Sequence, residues 1–254
     1  MPRSRLLLAC AAALLVAVVG AYVAYDQVLS GDSVAPLALP SSSPAAAAEP
    51  SASADSSADP PGASAAPAAS SDGDVAGTWT VGANSVAGYR VRERLASLSA
   101  ESDAVGRTSD VTGSITVESD GTTTTLTGGT LTVDTTTITS DEDRRDNRLR
   151  TEGLQTDSFP TASFTVTSPV EIPAAAVAGS ASDITLTGDL TIHGVTKSVS
   201  IPAQAQLVGG TIQVAGSITF PLADFDIVAP NVGGFILSIA DEGTLEFQVN
   251  FTKG

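Results

Sequence analysis

From Val75 onward the chain alternates between apolar and polar positions. Ala87, Tyr89 and Val91 share one parity, and Arg90, Arg92 and Arg94 take the other. Val111, Ile115 and Val117 are interleaved with Thr112, Ser114 and Thr116. The same period of two recurs over Thr78–Val81, Leu126 to Val133, Ala162 to Val166, Ile212 to Phe220 and Leu245 to Phe251. A strand sends successive side chains to opposite faces, so each run predicts a strand with one buried face. Asp120-Gly121 is a hairpin turn signal, and Gly128-Gly129 marks a bend or bulge. The runs add up to about eight antiparallel strands, arranged as a closed barrel or a sandwich.

The central pattern is Ile184–Pro202. Ile184, Leu186, Leu190 and Ile192 line one arm of a hairpin, and Val199 and Ile201 line the other. With His193 to Thr196 as the loop, Ile192 faces Lys197, Leu190 faces Val199 and Gly188 faces Ile201, which puts both apolar sets on one face. Gly194 supplies the positive φ that such turns need.

One segment breaks the alternation. Ser140–Gly153 has a capping serine, acids in its first turn and a glycine stop, which predicts a short helix. Leu149 is its main apolar residue, so it is expected across a barrel edge or mouth rather than in the core. Its Arg144, Arg145, Arg148 and Arg150 have the chemistry to meet an anionic headgroup. Interleaved acids oppose that reading, with Asp141–Arg145 and Arg148–Glu152 at helix-pairing spacing. Glu93 shares parity with Tyr89 and Val91, which makes it an inward charge near a rim.

The N-terminal part is of another kind. After Arg3 and Arg5, the uncharged run Leu6–Ala24 matches the roughly 20 residues a bilayer-spanning helix needs. The flanking charges place the remainder outside the cytoplasm. A cleaved signal peptide, giving a secreted product, is the rival; the cleavage cue in Gly20–Ala24 is poor. Gln27 to Asp74, rich in Ala, Ser and Pro, is too poor in large apolar residues to fold and is expected to be a disordered spacer. The organisation is therefore an anchor helix over 1–26, a linker over 27–74 and a β domain over 75–254.

Composition narrows the function. A net charge of −16 argues against a nucleic-acid partner. The single cysteine, Cys10, falls in the apolar run, so the β domain has no disulfide and no thiol nucleophile. His193 is the only histidine, sits in a turn, and is expected to brace that turn through a backbone hydrogen bond. No nucleophile elbow, phosphate loop or zinc motif is present, so no catalytic residue, metal or cofactor is assigned.

Gly188-Asp-Leu-Thr-Ile-His-Gly-Val-Thr-Lys197 resembles the signature hairpin of the YceI-like proteins. So do Trp79 followed by Tyr89, Val105–Ile115, Arg145-Asp146-Asn-Arg-Leu149 and Phe159-Pro160-Thr-Ala-Ser-Phe164, in that order along the chain. Gly82 and Asn84 stand where that family has Asp and His, and its late Arg-x-Asp-Phe-Gly pattern is reduced to Asp224-Phe225. The resemblance implies an all-β, eight-stranded, extended lipocalin-like barrel with one short helix, which holds a polyisoprenoid or similar long-chain lipid in an apolar tunnel. Tyr89, Val91, Phe164, Leu190, Ile192 and Phe247 are the expected tunnel lining, and Arg144, Arg145 and Arg148 the expected headgroup contacts. A non-enzymatic lipid carrier, tethered to the membrane by its first helix and open to homodimer formation, follows. The alternative is an interaction module with a packed, ligand-free interior; an enzyme acting on lipid or sugar, for instance through Asp224 and Asp226, is the weakest reading.

Overall fold

The computed structural model of the protein describes residues 34–40, 75–95, 101–229 and 236–254. The strands are β1 (Gly77–Val81), β2 (Val86–Leu95), β3 (Glu101–Thr108), β4 (Val111–Ser119), β5 (Thr124–Asp134), β6 (Thr161–Val166), β7 (Val170–Ile172), β8 (Ser182–Ile192), β9 (Val195–Val208), β10 (Thr211–Pro221), β11 (Ile236–Ile239) and β12 (Glu242–Lys253). All their pairings are antiparallel.

Eight strands form a ring in the order β1-β4-β5-β6-β8-β9-β10-β12, and β12 returns to β1. The barrel expectation therefore holds, and the sandwich does not. Closure depends on a short element. β1 pairs with β4 along one edge (Trp79 opposite Ile115) and with the end of β12 along the other (Thr80 opposite Thr252). Further along, β12 pairs instead with β2, β2 pairs with β3, and β11 extends the end of β2. The wall is completed there by a bridge in which Arg107 and Thr139 exchange backbone hydrogen bonds of 2.9 and 3.1 Å.

The two ends of the barrel differ. At the β1 end Trp79, Ile115, Val117, Leu126 and Phe251 are buried together, and the Trp79 indole N–H donates to the Val75 carbonyl at 2.9 Å. A single helical turn, Ala174–Val177, lies against this end with Ala176 buried. The void left here is about 60 Å³. The other end is hollow.

The β8–β9 hairpin forms with a tighter turn than the sequence suggests. Only His193 and Gly194 lie between the strands, with φ of 52° and 76°. Two consecutive positive φ values define the turn whose twist matches that of paired strands. The register therefore slides by two residues: Ile192 faces Val195, Leu190 faces Lys197 and Leu186 faces Ile201. An even shift preserves the faces, so the apolar sets still meet. The expected bulge is present, with Thr127 left over where the β4–β5 register shifts beside Gly128.

Three strands were not legible. β3 is polar and non-alternating, and it becomes a strand only because β2 offers it an edge. β7 and β11 are too short to show a period. The expected Ser140–Gly153 helix is shorter than its pattern. An α-helix covers Asp143–Arg148 and continues as one π-helical turn, Leu149–Gly153. The cap position falls on Glu142 rather than Ser140, because Ser140 is tied elsewhere. Its backbone N–H donates to both carboxylate oxygens of buried Asp146 (2.9 and 3.1 Å), and its hydroxyl donates to one of them at 2.6 Å.

A second correction concerns the spacer. Val34–Pro40 falls inside the stretch expected to be disordered, yet Leu39 is 7% exposed and the segment lies against the barrel wall. The apolar run Leu6–Ala24 and most of the spacer lie outside the described residues. Among the described residues no helix is long and apolar enough to cross a membrane.

The turn geometry yields a test. A Cβ on Gly194 would lie 2.6 Å from the Phe159 ring, and the backbone there is left-handed. Gly194→Val is expected to lose about 1–2 kcal/mol from the backbone alone, with more from the clash, seen as a lower urea midpoint at unchanged m-value.

Candidate ligand-binding site

The hollow end encloses a cavity of about 580 Å³. It lies where inward-facing positions of β2, β6, β8 and β12 carry aliphatic or aromatic side chains too short to meet across the lumen. Tyr89, Val91, Phe164, Leu190, Ile192 and Phe247 all border this cavity. Phe164, Phe247, Leu131 and Leu186 also border the small void at the packed end, so their level is the floor of the cavity. Leu131 and Val133 belong to the wall as well, and their alternation in β5 could have placed them there. Leu222 and Ile227 come from the 3₁₀ turn and loop after β10, which have no period to reveal them.

The mouth is built around the Asp143–Arg148 helix, which contributes Arg144, Arg145 and Arg148, with Leu149 and Leu154 following. Glu93 projects inward as expected. It is 4% exposed, and its carboxylate accepts from the Arg145 guanidinium at 2.8 Å. Arg145 also pairs with Asp141. A carboxylate this deep needs a cation, and the pair pins the helix across the lumen. Burial pulls the Arg145 guanidinium down, but Glu93 and Asp141 outweigh it and hold its pKa above the ordinary arginine value. Of the three expected headgroup arginines, Arg145 is thus already neutralised. Arg144 is exposed at the rim, and Arg148 lines the cavity half-buried. Asp141 and Glu142 stand among them, so the mouth is mixed in charge rather than uniformly basic.

Two polar atoms on residues of this wall are buried with no hydrogen-bond partner among the described residues, the Tyr89 hydroxyl and the Arg145 Nε. The Tyr89 ring lies over the backbone of β3, where a Cβ at Gly106 would come within 2.3 Å of it. Burial pushes the phenol pKa up to about 12, against a lowering by Arg145.

His193 takes the bracing role. Its ring contacts Phe159 edge-on at 4.5 Å between centroids. Its Nδ1 lies 3.2 Å from the Phe225 carbonyl oxygen, which can only accept, so Nδ1 carries the proton. The hairpin is thereby tied to the turn that carries Leu222 and buried Phe225. Among the described residues no cluster of three or more His, Cys, Asp or Glu side chains is placed to hold a metal ion. Asp224 is engaged by Lys197 at 3.6 Å on the surface.

The fold is similar to two solved structures. One is BcnA of Burkholderia cenocepacia, with a TM-score of 0.51 and 15% identity, covering 67% of this chain and 98% of that one. The other is a polyisoprenoid binding domain from Saccharophagus degradans implicated in plant cell wall breakdown, with a TM-score of 0.53 and 17% identity, covering 70% of this chain and 99% of that one. No curated protein sequence matches the chain. At these identities the structures speak for the fold alone. The sequence itself matches the model of the YceI-like domain over residues 79–251. With that match spanning the whole barrel, from Trp79 in β1 to Phe251 in β12, the chain belongs to the YceI-like domain family.

Proposed function

We propose that the barrel binds one long-chain lipid of the polyisoprenoid class, with its apolar chain in the lumen and its polar end at the mouth. The observation that carries this reading is the cavity. Its volume, about 580 Å³, falls within the roughly 300–1,000 Å³ usual for small-molecule pockets. Aliphatic walls with a few polar groups at one end suit an amphiphile, since burying apolar surface is worth about 25 cal/mol per Å². A void of this size argues against a packed, ligand-free module. The family and the polyisoprenoid-binding neighbour point the same way. Arg144 and Arg148 meet the outer end of the guest. Binding without covalent chemistry, in an extracytoplasmic compartment reached through the Leu6–Ala24 anchor, completes the reading.

Mass spectrometry of gently purified protein is the direct test. An isoprenoid-class lipid is expected to co-purify at close to one per chain. Its absence, together with no uptake of a fluorescent isoprenoid, would sink the proposal. Ala162→Phe places a ring in the lumen where Ala162 lines it. Lipid retention is expected to fall about tenfold or more, while stability changes by less than about 1–3 kcal/mol because the ring enters empty space.

Tyr89 makes stability pH-dependent. The folded phenol titrates near 12 and the unfolded one near 10. The contribution is therefore fully present below pH 10 and is lost as pH rises towards 12. Urea melts of wild type should show that extra alkaline decline, and Tyr89→Phe should lack it.

A further inference from the structure

The outer face of the β2–β3–β12 wall carries a charged cluster that the lumen does not use. Arg90, Arg107 and Glu246 all point outward, since Glu246 faces Gly88 across the ladder and Gly88 faces Arg107. Although it faces outward, the Arg90 side chain is only 14% exposed, and that of Glu246 only 2%. Glu246 pairs with Arg107 at 2.7 Å and with Arg90 at 3.6 Å, and Arg90 also reaches Asp103 at 3.0 Å.

The cover over this cluster is the chain's own Val34–Pro40. Arg90 donates to the Val34 carbonyl at 2.6 Å, and Arg107 donates to the Ala35 carbonyl at 2.5 Å. The Leu37 amide donates to the Glu246 carboxylate at 3.4 Å, and Leu39 is buried. Hydrogen bonds that involve a charged group are the stronger kind. Pro36 and Pro40 stiffen the segment, so less chain entropy is lost when it docks.

We propose that Val34–Pro40 is a clamp that docks on the Arg90–Arg107–Glu246 face and sets how far the barrel stands from the membrane. This rests on the anchor reading of Leu6–Ala24. With the clamp docked, the spacer between anchor and barrel is Gln27–Ser33, which spans at most roughly 25 Å at about 3.3–3.6 Å per residue. Ser41–Asp74 then joins the clamp to the barrel and adds nothing to the tether. With the clamp released, the spacer becomes Gln27–Asp74, with a contour of roughly 165 Å. A docked clamp keeps the mouth at the bilayer, where a lipid is collected. A released one lets the loaded barrel range outward.

The clamp variant Leu37→Ser/Leu39→Ser removes the segment's two leucine side chains and keeps the amide of position 37 as an exchange probe, without touching the barrel, whose urea midpoint serves as the fold control. Full-length protein is reconstituted into phospholipid nanodiscs, in a Cys10→Ser background with a donor dye at Thr122→Cys and an acceptor dye on the lipid. Hydrogen exchange of the amide at position 37 is expected to be about tenfold or more slower in wild type than in the variant. Energy transfer to the lipid is expected to drop at least about twofold in the variant. Equal exchange, or equal transfer, overturns the proposal. So does protection that grows with protein concentration, which would place the segment on a neighbouring copy. Failure of the chain to stay in the nanodisc overturns the claim about reach. Lipid carried by the same samples reports separately on guest binding.

Discussion

A wall around an empty apolar space has to be held by bonds running around it, because nothing packs through it. Here that constraint falls on the ring of eight strands and on its narrowest link, the short β1 joined to both β4 and β12. Trp79 sits in that link and is buried among Ile115, Val117 and Phe251. The packed end thus supplies the hydrophobic stabilisation that the hollow end gives up. The lumen can stay open only because the opposite end is closed and dense, in a fold where core burial is the main favourable term.

Charge is used at two places on one stretch of wall. Glu93 and Glu246 are both deeply buried, one on the inner face and one on the outer. Each would be costly unpaired, and each is met by arginine. Inside, Arg145 ties Glu93 to the mouth helix. Outside, Arg90 and Arg107 ties to Glu246 leave guanidinium donors for the carbonyls of Val34 and Ala35. β2 alternates between these duties, with Tyr89, Val91 and Glu93 facing the lumen and Arg90 and Arg92 facing away. A single strand therefore borders both the cavity and the outer face against which Val34–Pro40 lies.

The site combines a wide apolar field with few polar groups, all near one end. Affinity for a guest would come from area, and orientation from the rim arginines. The mouth helix is pinned by Glu93 and by the Asp141 pair, and it is built upon Asp146, which is satisfied by Ser140. These contacts fix the opening rather than neutralise a ligand. The departures from the family pattern at Gly82 and Asn84 fall at the packed end, in the turn after β1, where Asn84 has a positive φ of 61° and the Asn250 side-chain amide donates to its carbonyl. They are remote from the mouth.

What the amino-acid order determined alone was everything carried by a period of two. Barrel strands with a clear apolar face, the six lumen residues, the inward Glu93 and the bulge at Gly128-Gly129 were all legible, because parity survives even where register does not. The β8–β9 turn shows the limit: its length was misjudged by two residues, and the faces still matched. Tertiary structure decided what has no local signature. β3 is a strand only through its partner β2. Leu222 and Ile227 reach the lumen from a loop, and Arg145 prefers Glu93, 52 residues away, to a free headgroup. Val34–Pro40 reads as spacer because its fixation comes from arginines on distant strands, and a contact between far parts of a chain leaves no trace in the local alternation of either.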